Sequence, residues 1–218
     1  MPWQFDIPEA TVGRISTYLT IVRQLEREGR QTASSSEIGE RANVNAAQVR
    51  KDLSYFGDFG RRGLGYRVSD LRVHLMRILG VEHERKVILV GAGNLGAALV
   101  GYPGFEARGF RIVAVLDNNP AKIGHRLYGQ RILPMQSLNE VVQSTGAEQG
   151  IVAVPGAAAQ SVVDGLVAAG VRSILNLAPV QVTASPPVVI RSVDMTSHLE
   201  LLSFCLTHTP QPADREPS

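Results

Sequence analysis

Lys86 to Gly96 reads K-V-I-L-V-G-A-G-N-L-G, an apolar run that passes straight into glycines spaced G-x-G-x-x-G and then into a helix-forming stretch. No other part of the chain restricts the fold so tightly. The continuous β-branched and leucine run from Val87 to Val90 suits a strand buried on both faces of a parallel sheet. The glycines divide the work: Gly91 makes the tight turn, Gly93 lets backbone approach a pyrophosphate, and Gly96 lets the helix close on the strand. Ala92, Asn94 and Leu95 complete the turn, and the helix that follows aims its N–H groups and positive dipole end at phosphate. The spacing therefore predicts a phosphate-binding strand-turn-helix.

A second apolar run, Phe110 to Leu116, ends in Asp117, at about the twenty-residue distance where a ribose-binding carboxylate belongs. An acid there takes hydrogen bonds from ribose hydroxyls and repels a 2′-phosphate, which favours NADH and NAD+ over their phosphorylated counterparts. The plainer role for Asp117 is to cap the turn before Asn118-Asn119-Pro120. Beyond it, strands and helices alternate. A short helix is expected near Ala121, and a helix from Ser137 with Ser137 and Glu140 as a capping box. A buried strand follows at Ile151 to Val154, then an alanine-rich helix at Ala157 to Ala169, a strand at Ser173 to Leu177 and an edge strand at Val188 to Ser192. Such alternation predicts an α/β Rossmann domain over 86–192, a doubly wound parallel sheet with ligand at the carboxyl ends of its strands. Val154 and Pro155, with Asn176 to Pro179, are placed to line that end.

The N-terminal part has a different period. Pro8 to Glu28 reads as a helix with Ile15, Leu19, Val22 and Leu25 on one face. Ser34 to Ser36 offer a cap for a second helix, Glu37 to Ala42, and Asn45 caps a third, Ala46 to Phe56. A short turn, Asn43-Val44-Asn45, separates the last two, which is the layout of a helix-turn-helix. The third helix carries Gln48, Arg50, Lys51, Ser54 and Tyr55, all able to bond base edges or phosphates. A glycine-dense stretch follows, with Arg61 and Arg62 at its tip and Tyr66 beyond, and reads as a basic wing. Net charge is only +2, but between Arg41 and Arg77 bases far outnumber acids. A fourth helix spans Asp70 to Leu79. Val81 to Arg85 reads as a charged linker, which sets the domain over 1–80.

Met195 to His208 is expected to be a terminal helix, within a segment 193–208, with more apolar residues than one stripe on a monomer needs. Packing on a partner subunit and packing on its own sheet are both open. Asp194 is either its N-cap or a cofactor and subunit contact. The polar, proline-rich tail 209–218 is expected to be disordered. Cys205 is the single cysteine, which excludes an intrachain disulfide and offers no metal cluster. The N-terminus lacks a secretory pattern and no apolar run reaches membrane length, so a cytoplasmic protein with no membrane partner is expected. None of the five histidines belongs to a catalytic cluster.

The chain resembles the Rex family of bacterial redox-sensing repressors over nearly its whole length, from Ile7 to about His208. The residues that carry the likeness are Ile7-Pro8, Ala10-Thr11 and Arg14, the string Val49 to Gly57, Gly60, Gly63 and Gly65-Tyr66, the Gly91 to Gly96 turn, Tyr102 to Phe105, Gly170 to Ala178, and Val193-Asp194. The resemblance implies a homodimer with an N-terminal winged helix and a C-terminal Rossmann domain, its last helix swapped onto the partner. It implies a double-stranded inverted-repeat operator released by NADH, with NAD+ competing. It also implies that Arg14, Tyr102 and Asp194 form a polar contact that differs between states. Met195 is a departure, since some relatives carry an aromatic residue there. The alternative is an NAD-dependent oxidoreductase with a DNA-binding-like extension, but the short remainder after Pro179 leaves little for a substrate domain.

Overall fold

The computed structural model describes residues 6–57, 60 and 64–208. It divides into two compact units, Met1–Arg85 with Gly104–Phe110, and Lys86–Pro103 with Arg111–Ser218.

In the first unit α1 (Glu9–Arg27) buries Ile15, Tyr18, Leu19, Val22 and Leu25, the three- and four-residue spacing that lays one stripe along a helix. Facing it, α4 (Val68–Ile78) supplies Val68, Leu71 and Leu75. In the chain between them, α2 (Ser35–Arg41) and α3 (Ala46–Ser54) start on side-chain caps: Ser34 accepts the N–H of Glu37, and Asn45 that of Gln48. Their junction is tight because Asn43 takes a φ of 55° and Gly39 has no side chain. A Cβ on Gly39 would stand 2.6 Å from the carbonyl oxygen of Val44. A two-stranded antiparallel ribbon pairs β1 (Thr32–Ala33) with β2 (Tyr66–Arg67). Val81, expected in a linker, is buried in this core.

The second unit is a seven-stranded sheet among the described residues. Its strands are β3 (Arg85–Val90), β4 (Phe110–Asp117), β5 (Arg126–Leu127), β6 (Gln130–Pro134), β7 (Gln149–Val152), β8 (Ser173–Asn176) and β9 (Val189–Ser192), in the order β5-β6-β4-β3-β7-β8-β9. β3 and β7 pair in parallel, and from that seam the chain winds outward to either side. The order reverses there, which is the switch point where an open α/β sheet opens a crevice for ligand. The helices are α5 (Asn94–Val100), α6 (Leu138–Thr145), α7 (Gly156–Ala168) and α8 (Met195–His208). Ile88, Val90, Leu116, Val152, Val163 and Leu166 fill the core between sheet and helices.

Two local expectations fail, and one strand is added. Residues 121–124 form turns and no helix, because the Asn119 side chain accepts the N–H of Ala121 and bends the chain there. The capping box at Ser137 is absent: Ser137 lies in a 3-10 turn, Met135–Ser137, that runs directly into α6, and its side chain makes no cap bond. The added strand is β6, whose apolar part is only Ile132 and Leu133, between Arg131 and a proline that has no N–H to give a ladder. Pairing with Val115 and Leu116 of β4 completes it.

Candidate functional site

In α3 the apolar residues Val49 and Leu53 are buried, and the opposite stripe of Arg50, Lys51 and Ser54 is exposed, with Tyr55 at the helix end. That stripe follows the i, i+1, i+4 geometry of one helix face, and it stands on the second helix of the helix-turn-helix, where base edges are read. Arg50 donates to the Ser35 hydroxyl at 3.0 Å, which steadies its guanidinium. Much of the surrounding basic run is already neutralised: Arg41 holds Glu28, Arg72 holds Glu26 and Arg77 holds Glu82. Two expected DNA-facing residues belong elsewhere. Gln48 is half-buried and donates to Asp52 at 2.8 Å. Tyr66 is buried in the core, where desolvation pushes its hydroxyl up in pKa. Arg61 and Arg62 lie outside the described residues.

The residue missed from sequence is Asp52. It is fully buried, and its carboxylate accepts from Arg14 through Nε at 2.6 Å and Nη2 at 2.7 Å, from the Tyr18 hydroxyl at 2.8 Å, and from Thr11 and Gln48. Burial opposes the charge, but the bonds from Arg14, Tyr18 and Gln48 outweigh it and hold the carboxyl below its usual range. The Tyr18 hydroxyl is pushed up, first by burial and then by Asp52. α1 is thereby tied to α3 through one ionised group. The sequence did contain a signal: Asp52 stands three residues after Val49 and four before Phe56, on the apolar face, where an acid requires a cation from a neighbouring element.

At the switch point the turn behaves as its spacing predicts. Gly91 has a φ of 107°, and a Cβ there would stand 2.2 Å from the carbonyl oxygen of Ala153, at the end of β7. A Cβ on Gly96 would stand 1.8 Å from the carbonyl oxygen of Gly91. Around Gly93, by contrast, nothing lies within 4 Å of an added Cβ. The outer glycines are thus filled by the protein and the middle one is open, the arrangement that a pyrophosphate approaching the backbone requires. Asn94 and Leu95 are exposed beside it, Val154 is half-buried and Pro155 exposed on the adjoining loop.

Asp117 ends β4 next to this turn and is buried, with both oxygens engaged. It accepts from the N–H of Ala92 at 2.8 Å, from the N–H of Asn119 at 2.8 Å, and from Lys122 at 3.3 Å. Burial raises its pKa, but these donors prevail and keep it lowered. Turn-capping and contact with the glycine loop are thus united in one carboxylate. Asn176, in the loop expected to line the site, is fully buried and spends its amide on the carbonyls of Ala178 and Val180 and on Ser192.

A family model for a DNA-binding protein N-terminus matches residues 6–54, and the CoA binding domain model matches residues 82–180. The redox-sensing transcriptional repressor Rex of Carboxydothermus hydrogenoformans is 49% identical over 200 residues, covering 92% of this chain and 96% of that one. The Rex of Streptomyces coelicolor is 43% identical over 198 residues, covering 91% and 77%. The chain belongs to the Rex family of redox-sensing transcriptional repressors. Solved structures agree: RSP, a Rex-family repressor, in complex with β-NAD+ and operator DNA superposes with a TM-score of 0.89 at 30% identity over 94% of both chains. RSP in complex with β-NADH superposes at 0.83 and 29% identity, covering 94% and 96%.

The Rex relatives are named as repressors and not as enzymes. Among the described residues no group of acids, histidines and cysteines is placed to hold a metal ion, and no helix is long and apolar enough to cross a membrane. Of the residues expected to switch, Arg14 is bound to Asp52, Tyr102 is 55% exposed after α5, and Asp194 accepts the N–H of Thr196 at the start of α8. The possibility that α8 packs on its own sheet is excluded, since no residue of the helix is buried.

Proposed function

We propose that this chain is a homodimeric repressor that binds an inverted-repeat operator and is released from it by NADH, with NAD+ competing for the same site. The observation that carries the reading is one chain holding both a basic, exposed recognition-helix face and a G-x-G-x-x-G turn whose middle glycine is open at the switch point. The bound ligands of RSP support it. In this reading Arg50, Lys51, Ser54 and Tyr55 meet the major groove, Arg61 and Arg62 meet phosphate, and the domains run 1–80, 86–192 and 193–208. Gly91 to Gly96 hold the pyrophosphate, Asp117 the ribose, and Tyr102, Val154, Pro155 and Asp194 border the nicotinamide half. The protein works in the cytoplasm.

Two recognition helices related by a two-fold axis fit half-sites one helical turn apart only at one separation. NADH opposes DNA if it binds the mismatched arrangement more tightly, and DNA then weakens NADH by the same factor. When bound, the nicotinamide supplies the signal through its charge: neutral when reduced and cationic when oxidised. An apolar site prefers the neutral form because an unpaired buried charge is costly. Arg14, Tyr102 and Asp194 are the polar residues we assign to the difference between states. A mobility-shift titration on a palindromic site tests this. NADH should release the operator and added NAD+ should restore it. An operator held equally with and without saturating NADH would refute the reading.

A further inference from the structure

We propose that Lys122 is a cofactor-specificity residue: paired with Asp117, it sets how strongly the site refuses a dinucleotide carrying a 2′-phosphate. The inference rests on the reading that the glycine turn binds NAD(H). An acid at the end of the second strand of such a sheet receives ribose hydroxyls, while a cation nearby accommodates a 2′-phosphate. This chain places both there, with Lys122 Nζ 3.3 Å from Asp117 Oδ2.

The position of Lys122 is built into the local structure. Its N–H donates to the carbonyl of Asn119, whose side chain also accepts the N–H of Ala121. Two residues on, the N–H of Gly124 donates to the carbonyl of Ile132 in β6. The turn is therefore tied at both ends. Its two charges are unequally exposed, at 38% for the Lys122 side chain and 8% for that of Asp117. An arriving phosphate meets the ammonium before it meets the carboxylate.

Asp117 is also heavily used. A carboxylate has about four acceptor positions, and Ala92, Asn119 and Lys122 take three of them. About one position is left to take a ribose hydroxyl, so the refusal of a 2′-phosphate is chiefly a matter of charge. Lys122 offsets part of that charge.

The test measures dissociation constants of NADH and NADPH for the full-length protein by calorimetry. Lys122→Met keeps the aliphatic stem of a half-exposed side chain, so folding should be kept, and the ratio of NADPH to NADH constants should rise at least about fivefold, the effect of one unit charge about 4 Å away under full water screening. Asp117→Asn should lower the ratio by a similar factor, and Lys122→Met added to it should reverse most of that gain. A ratio unmoved by Lys122→Met, or both constants weakened equally, overturns the assignment and leaves Lys122 a structural residue. If the wild-type chain binds neither dinucleotide, the NAD(H) reading falls and this one with it.

Discussion

Asp52 shows how one side chain can link two helices. Its carboxylate is wholly buried and ionised, and the Arg14 guanidinium is the charge that makes this tolerable. Breaking a buried pair by removing one partner costs about 3 kcal/mol or more. Asp52→Asn should therefore lower the denaturant midpoint of the first unit, and operator affinity should fall with it. The sign of the pH dependence follows from the direction of the shift. A carboxyl held below its unfolded pKa of about 3.9 lends stability that is complete above that pH and is lost as pH falls through the folded value. Tyr18, held above its ordinary value, lends stability that is present below about pH 10 and fades as pH rises past it. Melting curves of wild type and Asp52→Asn should thus diverge near neutrality and converge below about pH 4. Residues of this kind are only half legible in a sequence. The place of Asp52 on the apolar face could be read from its spacing, but its partners Thr11, Arg14 and Tyr18 lie more than thirty positions away and are brought near only by packing.

At the scale of elements, periodicity and caps were strong guides. Asn45 and Ser34 cap the helices they were expected to cap, and the glycine turn has the packing its spacing implied. Failures occurred where tertiary pairing decides. β6 exists because β4 offers a partner, and Ser137 is overridden by the turn that precedes it. The same logic separates the exposed face of α3 from its buried face, and so predicts different outcomes for neighbouring substitutions. Lys51→Ala, on the exposed face, should cost about 1–3 kcal/mol if it contacts a base, or lower the salt slope of binding by about one per copy if it contacts phosphate. In either case NADH binding and thermal stability should be unchanged. Gly39→Leu, one helix earlier, should instead destabilise the first unit, because its Cβ would collide with the Val44 carbonyl at the turn. Salt-dependent mobility shifts and thermal melts of the two variants separate the cases; an intact operator affinity in Lys51→Ala would remove α3 from the interface.

For the molecule as a whole, α8 is the element that one copy of the chain leaves unexplained. Met195, Leu199, Leu202 and Leu206 recur at spacings of four, three and four, which places them on one stripe, and they are 64%, 64%, 59% and 81% exposed. Water-exposed leucines on one stripe over three turns are unfavourable unless a partner covers them. The spacing is that of a helix seam packing against another helix. Sequence alone revealed the apolar surplus but not its exposure, because whether a stripe is covered depends on where the chain puts the helix. If the stripe is a subunit interface, the double substitution Leu199→Glu with Leu202→Glu places like charges along the seam and should give a monomer by sedimentation. Each monomer would still carry its recognition helix, but without the partner the second half-site contact is no longer intramolecular. Operator affinity should then drop by a factor on the order of a hundred or more, the loss expected when the effective concentration of a linked second site is removed. Binding to an isolated half-site, being monovalent from the start, should change little. A variant that sediments as a dimer and binds the full operator undiminished would show that α8 does not join the two copies.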